Sequence, residues 1–182
     1  ANEHNEIHQR AIALLERLPE EKSVASRSDK NGVQSDKWSS AEAIEKFWET
    51  AKELSDKHGT AYLKSRGIDP ERVPTSCVRE AQHKSNKEPN TKSFPAIIFA
   101  LTDINDEVVA VHAIRCPGGN KLSKGAKITN GTLKGAVIKL PGSKTPDGEI
   151  IIVEGPEDAL SVWQETGIET WAACSIGNLS AA

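Results

Sequence analysis

Four apolar β-branched residues, Ile150 to Val153, run directly into an acid, Glu154, and a glycine, Gly155. A run this short and this apolar predicts a strand buried on both faces, in the middle of a sheet. The next stretch is helical in pattern. Pro156 suits the first turn of a helix and Gly167 its end. Ala159, Leu160, Trp163 and Val162 fall on one apolar face between them. Thr170 to Cys174 is a second apolar run, too short for a helix. The order strand, helix, strand predicts one βαβ unit, with parallel strands and a right-handed crossover.

Glu154 falls at the carboxyl end of the first strand, the edge at which open α/β sheets place ligands. Gly155 lets the chain turn sharply there, or lets a ligand come close. Asp158 lies one helical turn further on and is positioned to point back to the same end. Two carboxylates there suit a hard cation such as Mg²⁺, or one acts as a general base. Glu157 and Asp158 equally suit a plainer role, complementing the helix dipole.

The chain has 182 residues, 37% hydrophobic and 27% charged, with a formal net charge of −3. A nucleic-acid-binding surface must therefore be local. One segment supplies it. Lys121, Lys124, Lys127, Lys134, Lys139 and Lys144 succeed one another with no acid between them, among several glycines. Such a surface suits phosphate, by charge and by close backbone approach; the alternative is a solubilising loop face. Aromatic residues do not interleave, so stacking on single-stranded bases is not supported. Gly142 to Thr145 is not a P-loop, since the earlier glycine is missing and a strand comes after rather than before it. Cys77, Cys116 and Cys174 have no metal spacing and suggest a reducing compartment. No run has transmembrane length and no signal peptide opens the chain, which predicts a cytoplasmic protein without a membrane partner.

Earlier segments read in order. Glu3 to Leu18 has an amphipathic helical pattern, and Glu20 to Lys37 reads as a linker. Ser39 or Ser40 caps a helix, with Glu42 positioned for a capping box. Its inner stripe is Ala43, Ile44, Phe47, Trp48, Ala51 and Leu54. Gly59 to Ser65 is a second helix, ending at Gly67. From Val73 the pattern changes to short strands. Phe94–Leu101 and Glu107–Arg115 form a hairpin around the turn residues 102–106. Ala126–Thr129 and Ala136–Leu140 are two more strands, separated by the turn signal Asn130-Gly131. The expected class is α+β: N-terminal helices, a small mostly antiparallel β-subdomain, then a βαβ unit. The expected divisions are 1–37, 38–72, 73–147 and 148–182.

The stretch from the apolar strand through Glu154-Gly155-x-x-Asp158-Ala159 to the second strand resembles the first half of a Toprim domain. That module binds metal in bacterial-type primases, topoisomerases and some nucleases. The span from Tyr62 to Ala181 resembles the catalytic core of bacterial-type DNA primases. Tyr62 to Ile68 is similar to its opening Tyr-Leu-x-x-Arg-Gly-Ile. Ala96 to Arg115 resembles a hairpin ending in a basic residue. Lys127 to Gly131 resembles a Lys-Tyr-x-Asn-Ser element, with Ile128 and Gly131 in place of its tyrosine and serine. Lys134-Gly135 resembles a downstream Lys-Gly. The short form is closer to phage, plasmid and mobile-element primases than to chromosomal ones.

The resemblance implies a catalytic Glu154, with Glu154 and Asp158 as ligands for Mg²⁺ or Mn²⁺. It implies Arg115, Lys127 and Lys134, with Asn130 of the matched element, as contacts to template or nucleotide; Lys121 and Lys124 of the lysine-rich segment complete the expected binding set. The implied activity is RNA primer synthesis on single-stranded DNA from nucleoside triphosphates, with a replicative helicase as a further partner. Toprim domains carry an Asp-x-Asp on a later strand, which this sequence lacks, and methionine is absent even at position 1. Both features lead to the expectation of a fragment without polymerising activity alone. The alternatives are a Toprim nuclease or topoisomerase fragment, disfavoured because the basic hairpin precedes the acidic motif, and a non-catalytic module that docks nucleic acid or a helicase.

Overall fold

The structure is a computed structural model that describes residues 40–84 and 92–179. The chain divides into two units, residues 1–33 and 34–182, and every described residue belongs to the second. The helix expected over Glu3–Leu18 and the linker over Glu20–Lys37 lie outside the described residues.

The fold is α+β, with a four-stranded antiparallel sheet and a three-stranded mixed sheet. Helix α1 spans Ala41–Thr50. Ser40 is its cap, accepting from the Ala43 amide, so Glu42 falls at the second helical position and no capping box forms. A π-turn over Asp56–Thr60 runs into helix α2, Ala61–Ser65. Strands β1 (Val78–His83), β2 (Phe94–Thr102), β3 (Val108–Arg115) and β4 (Lys127–Gly131) pair in that order. The hairpin expected between β2 and β3 is present, and the Asp103 carboxylate accepts from the Asn105 and Glu107 amides at its turn.

Strand β2 is central and buried from Ala96 to Leu101, and its alternation feeds two apolar clusters. Ala96, Ile98 and Ala100 face Ile44 and Trp48 of α1. The small alanines let the helix come close. Ile97, Phe99 and Leu101 face the opposite way, toward Tyr62, Leu63 and the second sheet.

The second sheet contains β5 (Ile138–Leu140), β6 (Ile151–Val153) and β7 (Thr170–Ala172), in the order β5-β7-β6. Helix α3 (Pro156–Thr166) joins β6 to the parallel β7, and Gly167 ends it in the left-handed conformation, as the sequence predicts. The short helix α4 spans Ile176–Leu179.

Three expectations are corrected. Strand β6 is an edge strand, partly exposed along its length, with Ile152 at 36% exposure. Its apolar run reflects packing on α3 rather than burial on both faces: Val153 reaches the main cluster while Ile152 faces out. Strand β5 belongs with the βαβ unit, pairing antiparallel with β7, so the division at 147/148 falls inside one sheet. Ile138, Leu140, Leu160 and Ala172 share a single core cluster with Ile97, Phe99 and Ile114.

The third concerns Asn130-Gly131. It is the end of β4 and not a hairpin turn, because β4 pairs with β3 while β5 pairs with β7. Gly131 has φ +100, and a Cβ there would lie 2.4 Å from the Val109 carbonyl oxygen. Only glycine lets β4 finish against β3 this closely. The Gly131→Ala substitution should therefore cost roughly 2–4 kcal/mol, measured as a lowered urea midpoint with an unchanged m-value.

Candidate functional site

Glu157 sits in the first turn of α3 and is 7% exposed. Its carboxylate accepts from the Tyr62 hydroxyl at 3.0 Å and from Lys127 Nζ at 2.8 Å. Lys121 Nζ lies 3.9 Å away. Three separate elements meet at this acid: α2 through Tyr62, β4 through Lys127, and α3 itself. Burial opposes ionisation of Glu157, but the hydrogen bond and charge of Lys127, helped by Tyr62, hold its carboxyl below the usual range. Burial and then the Glu157 carboxylate push the Tyr62 phenol up. The dipole-complementing role expected for Glu157 is therefore too small. Its position in the sequence has the form of ordinary first-turn chemistry, and nothing local announces partners some 30 and 95 residues away.

The loop carrying Lys121 reaches this point over a close backbone contact. A Cβ on Gly119 (φ +79) would lie 2.7 Å from Ala61 Cβ, so glycine lets the turn pass against α2 next to Tyr62. His58 Nδ1 accepts from the Gly118 amide in the same contact.

Glu154 precedes Glu157 by three residues, and a Cβ on Gly155 between them would lie 3.9 Å from Glu157 Oε2. Glu154 is exposed at the end of β6, and its carbonyl accepts from the Cys174 amide at the end of β7. Asp158 is exposed and folds back over Gly155: its Oδ2 lies 3.1 Å from the position of a Cβ on that residue. The two carboxylates expected to act together thus share the end of β6. Lys134 joins them through Asn178, a buried residue that no sequence pattern singles out. Asn178 Oδ1 accepts from the Gly135 amide, and its Nδ2 donates to the Ala136 and Ala173 carbonyls. This pins the turn before β5 to the end of β7 and leaves Lys134 exposed at the same edge. Lys124 is exposed in the loop before β4.

Other expected site residues go elsewhere, because side chains alternate along a strand. Lys127 and Thr129 of β4 share a face with His112 and Ile114 of β3. Asn130 and Arg115 take the opposite face, the one α1 covers, and both are buried. There Arg115 Nε donates to His83 Nδ1 at 3.3 Å, Nη1 donates to the Gly125 carbonyl, and the guanidinium lies over the Phe94 ring. Arg115 and Asn130 are thus separated from Glu154 by the sheet and act in packing. The basic run divides as well. Lys139 bonds Asp106 and lies over Trp171. Lys144 is on the loop that pairs with the start of β7, at the far edge from Glu154.

His112 and His83 are buried, and both are driven to pKa values of about 4: His112 by burial and then by Lys127, His83 by burial and then by Arg115. His112 Nδ1 shares a 2.8 Å hydrogen bond with Thr129 Oγ1. The unfolded chain protonates both near pH 6.5, whereas the folded chain does so only near 4. Stability is therefore full above about pH 6.5 and declines as the pH falls from there toward about 4. The urea midpoint should drop across that window, and His112→Gln should remove about half of the slope.

The family described as a domain of unknown function, DUF7146, matches residues 39–140. No curated protein and no solved structure matches the chain. Among the described residues no helix is long and apolar enough to cross a membrane.

Proposed function

The chain belongs to the DUF7146 family, matched over more than half its length, and from the arrangement of its rim we propose that it is the template- and nucleotide-handling core of a primase-type nucleotidyltransferase. One observation carries this reading. The exposed acid at the end of β6 lies three residues before Glu157, to which Lys127 bonds and Lys121 comes within 3.9 Å, and the turn after Lys134 is pinned to the end of the neighbouring β7, although the chain as a whole is acidic. Its order of parts, with a basic sheet preceding an acidic βαβ unit, is the order in which the sequence resembles bacterial-type primases of mobile elements.

Each group has a role in that reading. Lys121, Lys124 and Lys134 are exposed and receive phosphates of single-stranded template or of a nucleoside triphosphate. Lys127 is committed to Glu157 and presents only its remaining donors. Glu154 takes the proton of the attacking hydroxyl or, with Asp158, supplies oxygen ligands to a hard cation. Two exposed carboxylates fit one such cation, which keeps several waters and takes substrate phosphates as its other ligands. Among the described residues no group of three or more His, Cys, Asp or Glu is placed to hold a metal ion by itself. When bound there, Mg²⁺ or Mn²⁺ would offset the charge of the triphosphate. A replicative helicase remains the expected partner in this reading.

Incorporation of labelled nucleotides on a single-stranded template, by the full gene product that contains this chain, is the test. Glu154→Gln should reduce primer synthesis by about 100-fold or more and leave the affinity for template unchanged. Synthesis at the wild-type rate would remove Glu154 from the chemistry. A wild-type protein that binds template and makes no primer is the non-catalytic docking module instead. Lys124→Ala and Lys134→Ala should each weaken template binding for every sequence alike. Each should lower the slope of log affinity against log salt by about 0.7.

A further inference from the structure

Lys121 and Lys127 converge on an acid that belongs to the protein itself. Their side chains are 42% and 39% exposed, whereas the Glu157 side chain is 9% exposed. The lysines thus face water and the carboxylate faces inward. Lys127 spends one of its three donors on Glu157 at 2.8 Å, and Lys121 stands at 3.9 Å, too far for a hydrogen bond. Glu157 is kept in place from behind by the Tyr62 hydroxyl.

We propose that Lys121 and Lys127 form an anion subsite whose built-in occupant is Glu157, and that a ligand phosphate binds by drawing these lysines away from that carboxylate. This rests on the reading that the rim handles phosphate-bearing ligands, and it adds how the site discriminates among them. Two ammonium groups and one carboxylate leave a single net positive charge. An incoming phosphate is repelled by Glu157 as well as attracted by the lysines. At such short range, in a partly desolvated setting, that repulsion outweighs the ordering it gives to one lysine side chain. A polyphosphate, with several charges in one small volume, overcomes the internal acid better than a phosphodiester, which brings one charge per unit. The subsite therefore favours the triphosphate of a nucleotide over the backbone of a nucleic acid. Lys124 and Lys134, which have no such internal partner among the described residues, suit the backbone.

Binding of inorganic tripolyphosphate to the full chain, titrated over a range of salt concentrations, tests this. Glu157→Gln should tighten binding by about tenfold and steepen the salt dependence by about one cation's worth. Lys127→Ala should weaken binding. In the wild-type protein at constant pH, tripolyphosphate should shift the Lys127 Nζ and the Glu157 carboxyl carbon resonances together. That measurement holds even if Glu157→Gln fails to fold. Wild-type binding that Glu157→Gln leaves unchanged or weakens would overturn the exchange, as would a Glu157 resonance that stays still at saturation. Either result leaves the phosphate-handling reading intact. If neither tripolyphosphate nor single-stranded DNA binds the wild-type chain, that reading falls, and this inference with it.

Discussion

A carboxylate buried as deeply as that of Glu157 stays ionised only if the fold brings it a cation. Lys127 provides the cation and Tyr62 adds a hydrogen bond, and neither belongs to the same element as the acid. The helical lead-in, the antiparallel sheet and the βαβ unit are thereby joined at one polar point. Removing the lysine would leave the carboxylate with only the Tyr62 hydrogen bond and the more distant Lys121, a larger penalty than losing an exposed ion pair. A hydrogen-bonded charge pair adds a directional constraint to the packing around it.

Around that point the supporting contacts are of the same kind. The Glu80 carboxylate accepts from the Ser55 and Gly59 amides at the start of the turn leading into α2. Gln164 of α3 exchanges two hydrogen bonds with the Asp69 backbone, and Arg72 donates to the Gln164 carbonyl. The Thr102 and Val137 backbones exchange both of their hydrogen bonds and so link the end of β2 to the segment before β5. Each junction uses backbone groups that no helix or sheet ladder already engages. Among the described residues the two sheets and the helices are thus tied together by backbone and side-chain hydrogen bonds as well as by the shared core.

Much of this architecture can be read from the residues. The β2–β3 hairpin, the cap at Ser40, the end of α3 at Gly167 and the parallel pairing of β6 with β7 all derive from short-range chemistry. The features that differ depend on partners distant in sequence. Ile150 to Val153 reads as buried on both faces because composition does not say which strand takes a sheet edge. Asn130-Gly131 has the composition of a hairpin turn, but its glycine is needed for contact with Val109. The site divides in the same way. The acids at the end of β6 and the exposed lysines Lys121, Lys127 and Lys134 are legible from the residues as surface charges. Glu157, Tyr62, His112 and Asn178 are not, because a buried polar residue resembles an exposed one until its partners are known. Arg115 and Asn130 are expected as ligands because the primase resemblance implies it, and a motif match does not say which face of a strand a residue takes; strand alternation puts them under α1.

Strand β4 thus carries two populations of side chains on a period of two. Lys127 and Thr129 look toward the acid of α3, while Ile128 and Asn130 look toward α1. A single-residue insertion at its start would exchange the two sets at once. The ammonium group would be driven against the alanines beneath α1 and the buried carboxylate of Glu157 would lose its 2.8 Å partner, so the pairing frame of this one short strand determines whether β4 and α3 are joined through a charge pair.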